Sequence, residues 1–500
     1  MQSKFLKIIN GTAINTFGTI FVSILSFILI PIIIGKVGIE KFGYIAFLNL
    51  FSALGFFSIF GLGVPQAVVR YVSQYNTEEN FNDSNSLIIF SIIFLLFVAS
   101  LISSLIYFSS SFIVSNFISV SLDDYDQLRF LLILTTAALL FQLPSLVLRS
   151  SLEGLLLFKQ VQIVIISTEL LKFVLVIFFL DFLAYDYEYV IYSTLISSFV
   201  CFLIFLILLS VKHRGFSFLS VNPRIIGKEK FYAFNIFLGQ FFSQIYINID
   251  KFLVSIFLTP AALGSLEVLT KLPILINKFL GLSVSTIIPM VGSTQSDQLD
   301  KFSKELFYKG FRWFSSFITP VILALIFYSE EFLLIWIGNE VSELHDILSL
   351  ILVWCLLTTL SFGGNIVYGR EEGIKEMTIY RILHCLLKVG AIYFFIKDYG
   401  LYAVAISYLI SNLSLIYVIG VFRRYIFIDV RAFLSEFIKI LLCGFPSLML
   451  GLLLTNYIAI GNFLVLLIAF LVWQIPYWIM LYFIVLKPDD KLRLKSILYL

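Results

Sequence analysis

Fourteen apolar runs, most of about twenty residues, dominate this 500-residue chain. A run of that length crosses roughly 30 Å of hydrocarbon as an α-helix, and only helices or closed barrels satisfy every backbone group there. A β-barrel would show shorter, alternating segments. The chain therefore reads as an all-α polytopic membrane protein. Composition agrees: 60% of residues are hydrophobic and 13% charged, against about 25% charged in a soluble domain.

The runs lie at roughly 10–34, 43–66, 87–108, 128–149, 161–182, 189–211, 231–257, 262–290, 308–328, 345–367, 376–396, 400–422, 435–457 and 462–486. The first has a basic start but no small-residue cleavage site, so it is read as an uncleaved span. Orientation follows from Lys and Arg. With both termini cytoplasmic, about 23 of the 34 basic residues fall on the cytoplasmic side and about four (Lys36, Lys41, Arg129, Lys397) outside. The segment "KHRGFSFLSVNPRIIGKEK" carries five basic residues, while the outer loops "DFLAYDYEY" and "YSEEFLLIWIGNEVSELHD" carry acids and no Lys or Arg.

The chain repeats itself weakly. "STLISS" (193–198) recurs as "SYLISN" (407–412), Gly154 matches Gly369, Lys172 matches Lys388, and Gly43 matches Gly264. The offsets are 214, 215, 216 and 221. An even number of spans per repeat gives both halves one topology, related by a pseudo-twofold along the membrane normal. The expected organisation is a six-helix bundle (1–211), a basic cytoplasmic linker (212–230), a second six-helix bundle (231–425), and two added helices with a cytoplasmic tail (426–500). The stretch "GLGVPQ" (61–66) is either tight helix packing or a hinge.

Ionisable residues inside spans mark function more often than chance. Six bases (Lys172, Lys251, Lys271, Lys278, Arg381, Lys388) and three acids (Glu169, Asp250, Glu267) lie there. Helical spacing suggests Glu169 with Lys172 and Glu267 with Lys271 as ion pairs, or as ion-coupling groups. Lys278, Arg381 and Lys388 have no acid at helical spacing. In "YRILHCLLKVG" (380–390), Arg381, His384 and Lys388 share one helical face. An uncompensated cationic face belongs beside water, where an anion can visit. The expected site is a cationic cavity lined by Lys278, Arg381, Lys388, Lys172, His384 and Lys271, with Arg70 at its cytoplasmic entrance.

Other chemistries find little purchase. Cys201, Cys355, Cys385 and Cys443 lie in apolar runs with no C-x-x-C pair, so neither disulfide nor metal site is expected. There is no phosphate-loop motif. "DDYD" (123–126) could hold a metal but reads first as a solvated acidic loop. No cofactor, catalytic residue or nucleic-acid partner is expected.

"GIEKFGYIAF" (38–47) with "GLGVPQAVVRYVSQY" (61–75) resembles the opening spans of the bacterial polysaccharide flippases, within the multidrug/oligosaccharidyl-lipid/polysaccharide exporter superfamily. "NIDKFLVSIFLTPAALGSLEVLTKL" (248–272) and "FLLIWIGNEV" (332–341) are similar to later parts of that family. The resemblance implies two six-helix lobes around a central cavity plus two peripheral helices. It implies a non-enzymatic flippase that moves undecaprenyl-pyrophosphate-linked oligosaccharide to the outer leaflet of the bacterial inner membrane. Membrane lipids, a polymerase and chain-length proteins would be its partners. An ion-coupled multidrug antiporter of the same superfamily is the alternative, and a membrane polymerase or glycosyltransferase a remote one.

Overall fold

The computed structural model describes residues 2–53, 55–183, 186–213, 226–284, 287–292, 296–370, 373–457, 460–488 and 490–491. Most of the linker 212–230 and the end of the C-terminal tail lie outside them. Among the described residues the secondary structure is helical. Two compact units divide between Val268 and Leu269.

The first unit contains α1 (Gln2–Leu50), α2 (Val64–Thr77), α3 (Phe81–Phe117), α4 (Leu122–Ala137), α5 (Leu139–Gly154), α6 (Phe158–Ile177), α7 (Glu188–Lys212), α8 (Ile226–Phe257) and the start of α9 (Pro260–Val284). Its core forms where α3, α5 and α7 converge, around Leu95, Leu143, Val147 and Phe205, with Val68 and Val72 of α2 closing one end. The helix α8 packs on α1, α2 and α3, so the compact units and the sequence repeat divide the chain at different places.

The second unit continues with α10 (Ile287–Gly292), α11 (Ser296–Phe327), α12 (Ser329–Trp336), α13 (Asn339–Ser342), α14 (His345–Thr358), α15 (Gly364–Tyr368), α16 (Ile374–Tyr399), α17 (Tyr402–Ser411), α18 (Ser414–Tyr425), α19 (Val430–Leu442), α20 (Phe445–Tyr457) and α21 (Phe463–Ile484). Phe307 and Phe311 of α11 stack on each other and meet Phe433 of α19 at tilted and edge-on angles, and Phe422 and Phe362 close around them. Arg312, one turn on, donates to Glu436 of α19 and, at 2.5 Å, to Asp490 beyond α21. Aromatic packing and a buried Arg–acid triad thus fasten the last two spans to α11.

Ten helical stretches are long and apolar enough to cross a membrane by length and composition. The first holds two spans, because α1 bends sharply at Gly38, whose φ of +81° suits glycine. Adding α8, α9 and the shorter apolar helix His345–Ser361 completes the expected fourteen. Exposed Phe97, Phe108, Phe178, Ile416 and Phe483 are the outer faces of these helices, tolerable where lipid replaces water. Polar caps mark the ends: Asn80, Ser121, Asp429 and Asn462 each accept from a backbone N–H of the following helix. Asp123 and Asp124 of "DDYD" sit in the first turn of α4, where the helix dipole favours acids. Among the described residues no group of three or more His, Cys, Asp or Glu could hold a metal.

Span two does not continue as one helix. After Leu50 the chain turns, forms a short 3₁₀ segment (Phe56–Gly61), and passes through Leu62 (φ 51°) and Gly63 (φ 72°), both left-handed, before α2 starts with Pro65 in its first turn. A left-handed leucine costs roughly 1–2 kcal/mol. "GLGVPQ" is therefore a helix break, not a packing motif inside an intact helix.

Candidate functional site

The break in span two lies beside a polar pocket within the first unit. The pocket has a volume of about 160 Å³. Ala53 contributes from the unravelled stretch; Gln142, Ser145 and Arg149 from α5; Thr168 and Glu169 from α6; Ser197, Ser198 and Cys201 from α7. Each helix turns one face inward, at spacings of three and four residues. Gln142 bridges the wall: its Oε1 accepts from Ala53 N–H at 3.1 Å, and its amide nitrogen donates to Ser198 Oγ at 3.4 Å. A freed backbone donor is thus satisfied by a side chain, the condition for irregular backbone at membrane depth.

Glu169 was expected beside Lys172, its neighbour by helical spacing. It lines this pocket with Arg149, which donates from Nε to Glu153 Oε1 at 2.8 Å. Lys172 lies half-buried on α6, and Arg70 is exposed on α2. Glu267 was expected with Lys271 but is ion-paired with Lys251, joining α9 to α8. Asp250 is fully buried, its Oδ1 accepting from the Lys251 backbone N–H at 3.0 Å. The pair runs between two helices, and spacing along one helix carries no information about its neighbour.

The expected stripe of the second unit divides. Arg381 is exposed, its guanidinium 4.8 Å from the Tyr368 ring. Lys278 is exposed on α9, and Lys271 half-buried. Lys388, by contrast, is completely buried, with Nζ 4.0 Å from the centroid of Tyr408. His384 lies within 2.8 Å of both the Ser411 carbonyl and the Ser414 hydroxyl through Nδ1. This corrects the expectation that Lys388 and His384 face a water-filled lumen. Lys388 and His384 lie against α17 and α18, where the Tyr408 ring and the Ser411 and Ser414 oxygens supply polar contacts.

Around the bend of α1, Lys36 pairs with Asp181 at 2.6 Å and Lys41 with Asp186, one on each side of Gly38. Two of the bases expected outside are thus neutralised by acids of "DFLAYDYEY". At the other end of α7, buried His213 lies 2.9 Å from Ser84 Oγ through Nε2, and burial pushes its pKa below the usual imidazole value.

Residues 8–295 match the sequence model of a family described as "Polysaccharide biosynthesis protein". The chain belongs to that family. The chain also shares the fold of several solved transporters. "Lipid II flippase MurJ, inward closed conformation" superimposes with a TM-score of 0.70 at 18% identity, covering 93% of this chain and 97% of its own. An inward-facing multidrug resistance MATE family transporter of the MOP superfamily gives 0.63 at 16% identity, covering 81% and 98%. A MOP superfamily transporter from Pyrococcus furiosus, with a binding pocket described as of reverse polarity, gives 0.55 at 18% identity, covering 84% and 94%. Among curated protein sequences, none matches. At such identities the similarity fixes the fold of this multi-pass membrane protein, while family membership rests on the sequence match.

The sequence reading missed the pocket. Gln142, Arg149 and Ser197 carry no strong motif; the available signals were the polar residues of "STLISS" and the breaker residues of "GLGVPQ", which the fold brings to one place.

Proposed function

We propose that the protein is a flippase for an undecaprenyl-pyrophosphate-linked oligosaccharide, moving it from the cytoplasmic to the outer leaflet of a bacterial inner membrane. The observation that carries the reading is the family match over residues 8–295, and the shared fold with a lipid II flippase is consistent with it. The physical task is to carry a polar, anionic head group past hydrocarbon while the lipid tail stays in the bilayer. Exposed Lys278 and Arg381, with half-buried Lys271 and Lys172, are the cations available to meet the pyrophosphate. Exposed Arg70 would act at the cytoplasmic entrance. Lys388 and His384 support α16 from inside the unit. Both termini are cytoplasmic in this reading, following the Lys and Arg distribution. Membrane lipids, a polymerase and chain-length proteins are the proposed partners. Glu267, engaged by Lys251, serves helix packing; ion coupling is assigned to Glu169 and Asp250, with the membrane potential acting on the head group as the simpler drive.

The alternative is an ion-coupled multidrug antiporter, which the MATE fold likeness keeps in view. Surface-polysaccharide complementation in a strain lacking its own flippase decides between them. Lys278→Ala/Arg381→Ala should fail to complement at normal membrane expression, and Lys278→Arg/Arg381→Lys should complement. Full complementation by the double alanine variant removes the cation assignment. Drug resistance conferred without any polysaccharide phenotype removes the flippase reading itself.

A further inference from the structure

The pocket beside the break in span two has its own chemistry. At about 160 Å³ it far exceeds the roughly 10–15 Å³ that one water needs, so it is sized for a group of several heavy atoms. Three of its four hydroxyls are committed as donors, and the fourth, Ser198, accepts from Gln142. Ser145 Oγ donates to Phe141 O at 2.7 Å, Thr168 Oγ1 to Val164 O at 2.9 Å and Ser197 Oγ to Thr194 O at 3.0 Å. Each hydroxyl has one proton, so what these side chains still offer is acceptor lone pairs. Gln142 uses its oxygen on Ala53 and one of its two amide hydrogens on Ser198. Glu169 adds two further acceptor oxygens. Among the charged lining residues, Arg149 brings donors beyond the Nε group bound to Glu153.

That inventory selects a ligand. An acceptor-rich wall wants a ligand with many O–H or N–H donors. Arg149 is itself paired with Glu153, so the wall carries no surplus positive charge, which disfavours an inorganic anion, and the single carboxylate of Glu169 is too few for a bare metal ion. The metal reading is weakened further, since no cluster of metal-ligating side chains exists among the described residues. Ala53, Leu146, Ile165 and Phe205 form an apolar part of the wall, suited to the C–H face of a ring. A hydroxylated sugar ring has all these properties: several donors, oxygens that can accept from Arg149, and apolar C–H faces.

We propose that this pocket is a monosaccharide subsite. Glu169 and the Ser145, Thr168 and Ser197 oxygens accept from sugar hydroxyls, and the Arg149 guanidinium donates to a sugar oxygen. The proposal rests on the flippase reading, because a sugar within the first unit has meaning there as one unit of the head group being moved. It assigns sugar selectivity to α5, α6 and α7, apart from the cations assigned to the pyrophosphate.

Cys201 lines the pocket and is half-buried, while Cys355, Cys385 and Cys443 are buried. A variant keeping Cys201 alone makes it a reporter. The purified full-length protein in nanodiscs is treated with a small uncharged methanethiosulfonate, alone and with a panel of methyl glycosides covering hexoses, N-acetylhexosamines and uronic acids. A glycoside that binds should slow modification by the factor 1 + [L]/Kd, rising linearly with its concentration. Arg149→Ala and Glu169→Gln in the same background should lose that protection while Cys201 still reacts. Sodium chloride and a sugar-free polyisoprenyl phosphate should give none.

Three results overturn the proposal: no slowing by any glycoside well above millimolar concentration, slowing by sodium instead, or a Cys201 that never reacts because the pocket is closed and dry. The flippase reading is judged separately by complementation. A protein that complements but shows no glycoside protection loses only the subsite. One that is protected yet fails to complement keeps the pocket and loses the flippase assignment.

Discussion

Gly43 and Gly264 face each other across a helix crossing that has no space for a side chain. A β-carbon on Gly43 would stand 1.9 Å from the Pro260 carbonyl oxygen, and one on Gly264 would stand 2.4 Å from that of Ile39. The internal repeat pairs these same two residues, so equivalent positions touch each other directly. Backbone lies against backbone, and neither helix can yield by turning a side chain. Gly43→Ala and Gly264→Ala should each lower stability by about 1–3 kcal/mol or more. Gly35→Ala, on the same helix with nothing within 4 Å of the added carbon, should be neutral or slightly stabilising. Melting temperatures in detergent, compared across the three variants, test the crossing; an unchanged melting temperature for Gly43→Ala would contradict it.

Lys388 and Arg381 should separate into structural and transport phenotypes. Lys388→Ala removes a fully buried side chain and its contact with Tyr408, and should destabilise by about 2 kcal/mol or more. Lys388→Met, which keeps the volume, should recover most of that. Arg381→Ala, at an exposed position, should leave melting nearly unchanged while reducing polysaccharide export. Equal melting temperatures for Lys388→Ala and wild type would return Lys388 to the cationic cavity.

Arg312 holds two acids at once, Glu436 and Asp490, with its own side chain only 3% exposed. Truncating it strands both carboxylates. Arg312→Ala should therefore cost about 3–5 kcal/mol and loosen the last two spans, visible as protease cleavage after Phe445 or as lower membrane yield. Replacing all three residues by apolar ones of similar size should restore much of the stability, because buried ion pairs are expensive to assemble as well as to break.

His213 gives the protein a pH dependence of known sign. Burial lowers its pKa in the folded state, so between that value and the unfolded pKa of about 6.5 the unfolded chain binds a proton that the folded chain refuses. The stability it contributes is complete above about 6.5 and falls as the pH drops below it. The melting temperature should decline from about pH 7.5 to about pH 5.5, and His213→Gln should flatten part of that slope. A slope of unchanged size in the variant assigns the effect to other groups.

The spans and their number were legible in the sequence because membrane helices announce themselves by run length. Gly43 and Gly264, which the sequence repeat pairs, are contact points. Partners across helices were not. Lys251 takes Glu267 in place of Lys271, and the Lys388 face meets Tyr408 and Ser411 in place of water, because helical spacing describes one helix and is silent about its neighbours. The pocket was hidden for the same reason: Arg149, Glu169 and Cys201 come from three helices and share no local pattern.

The break at Leu62 and Gly63 bears on how the chain enters the bilayer during synthesis. Beyond Gly38 the regular helix of span two runs only to Leu50, roughly 18 Å at 1.5 Å per residue, well short of the membrane's apolar thickness. Alone in lipid, the unravelled stretch after it would leave backbone donors unanswered, and Gln142, which answers Ala53, is translated about ninety residues later. Span two can therefore sit in its final place only after α5 has arrived. The last backbone partner of span two thus comes from a helix well downstream of it, which ties the break to the folding of the first unit.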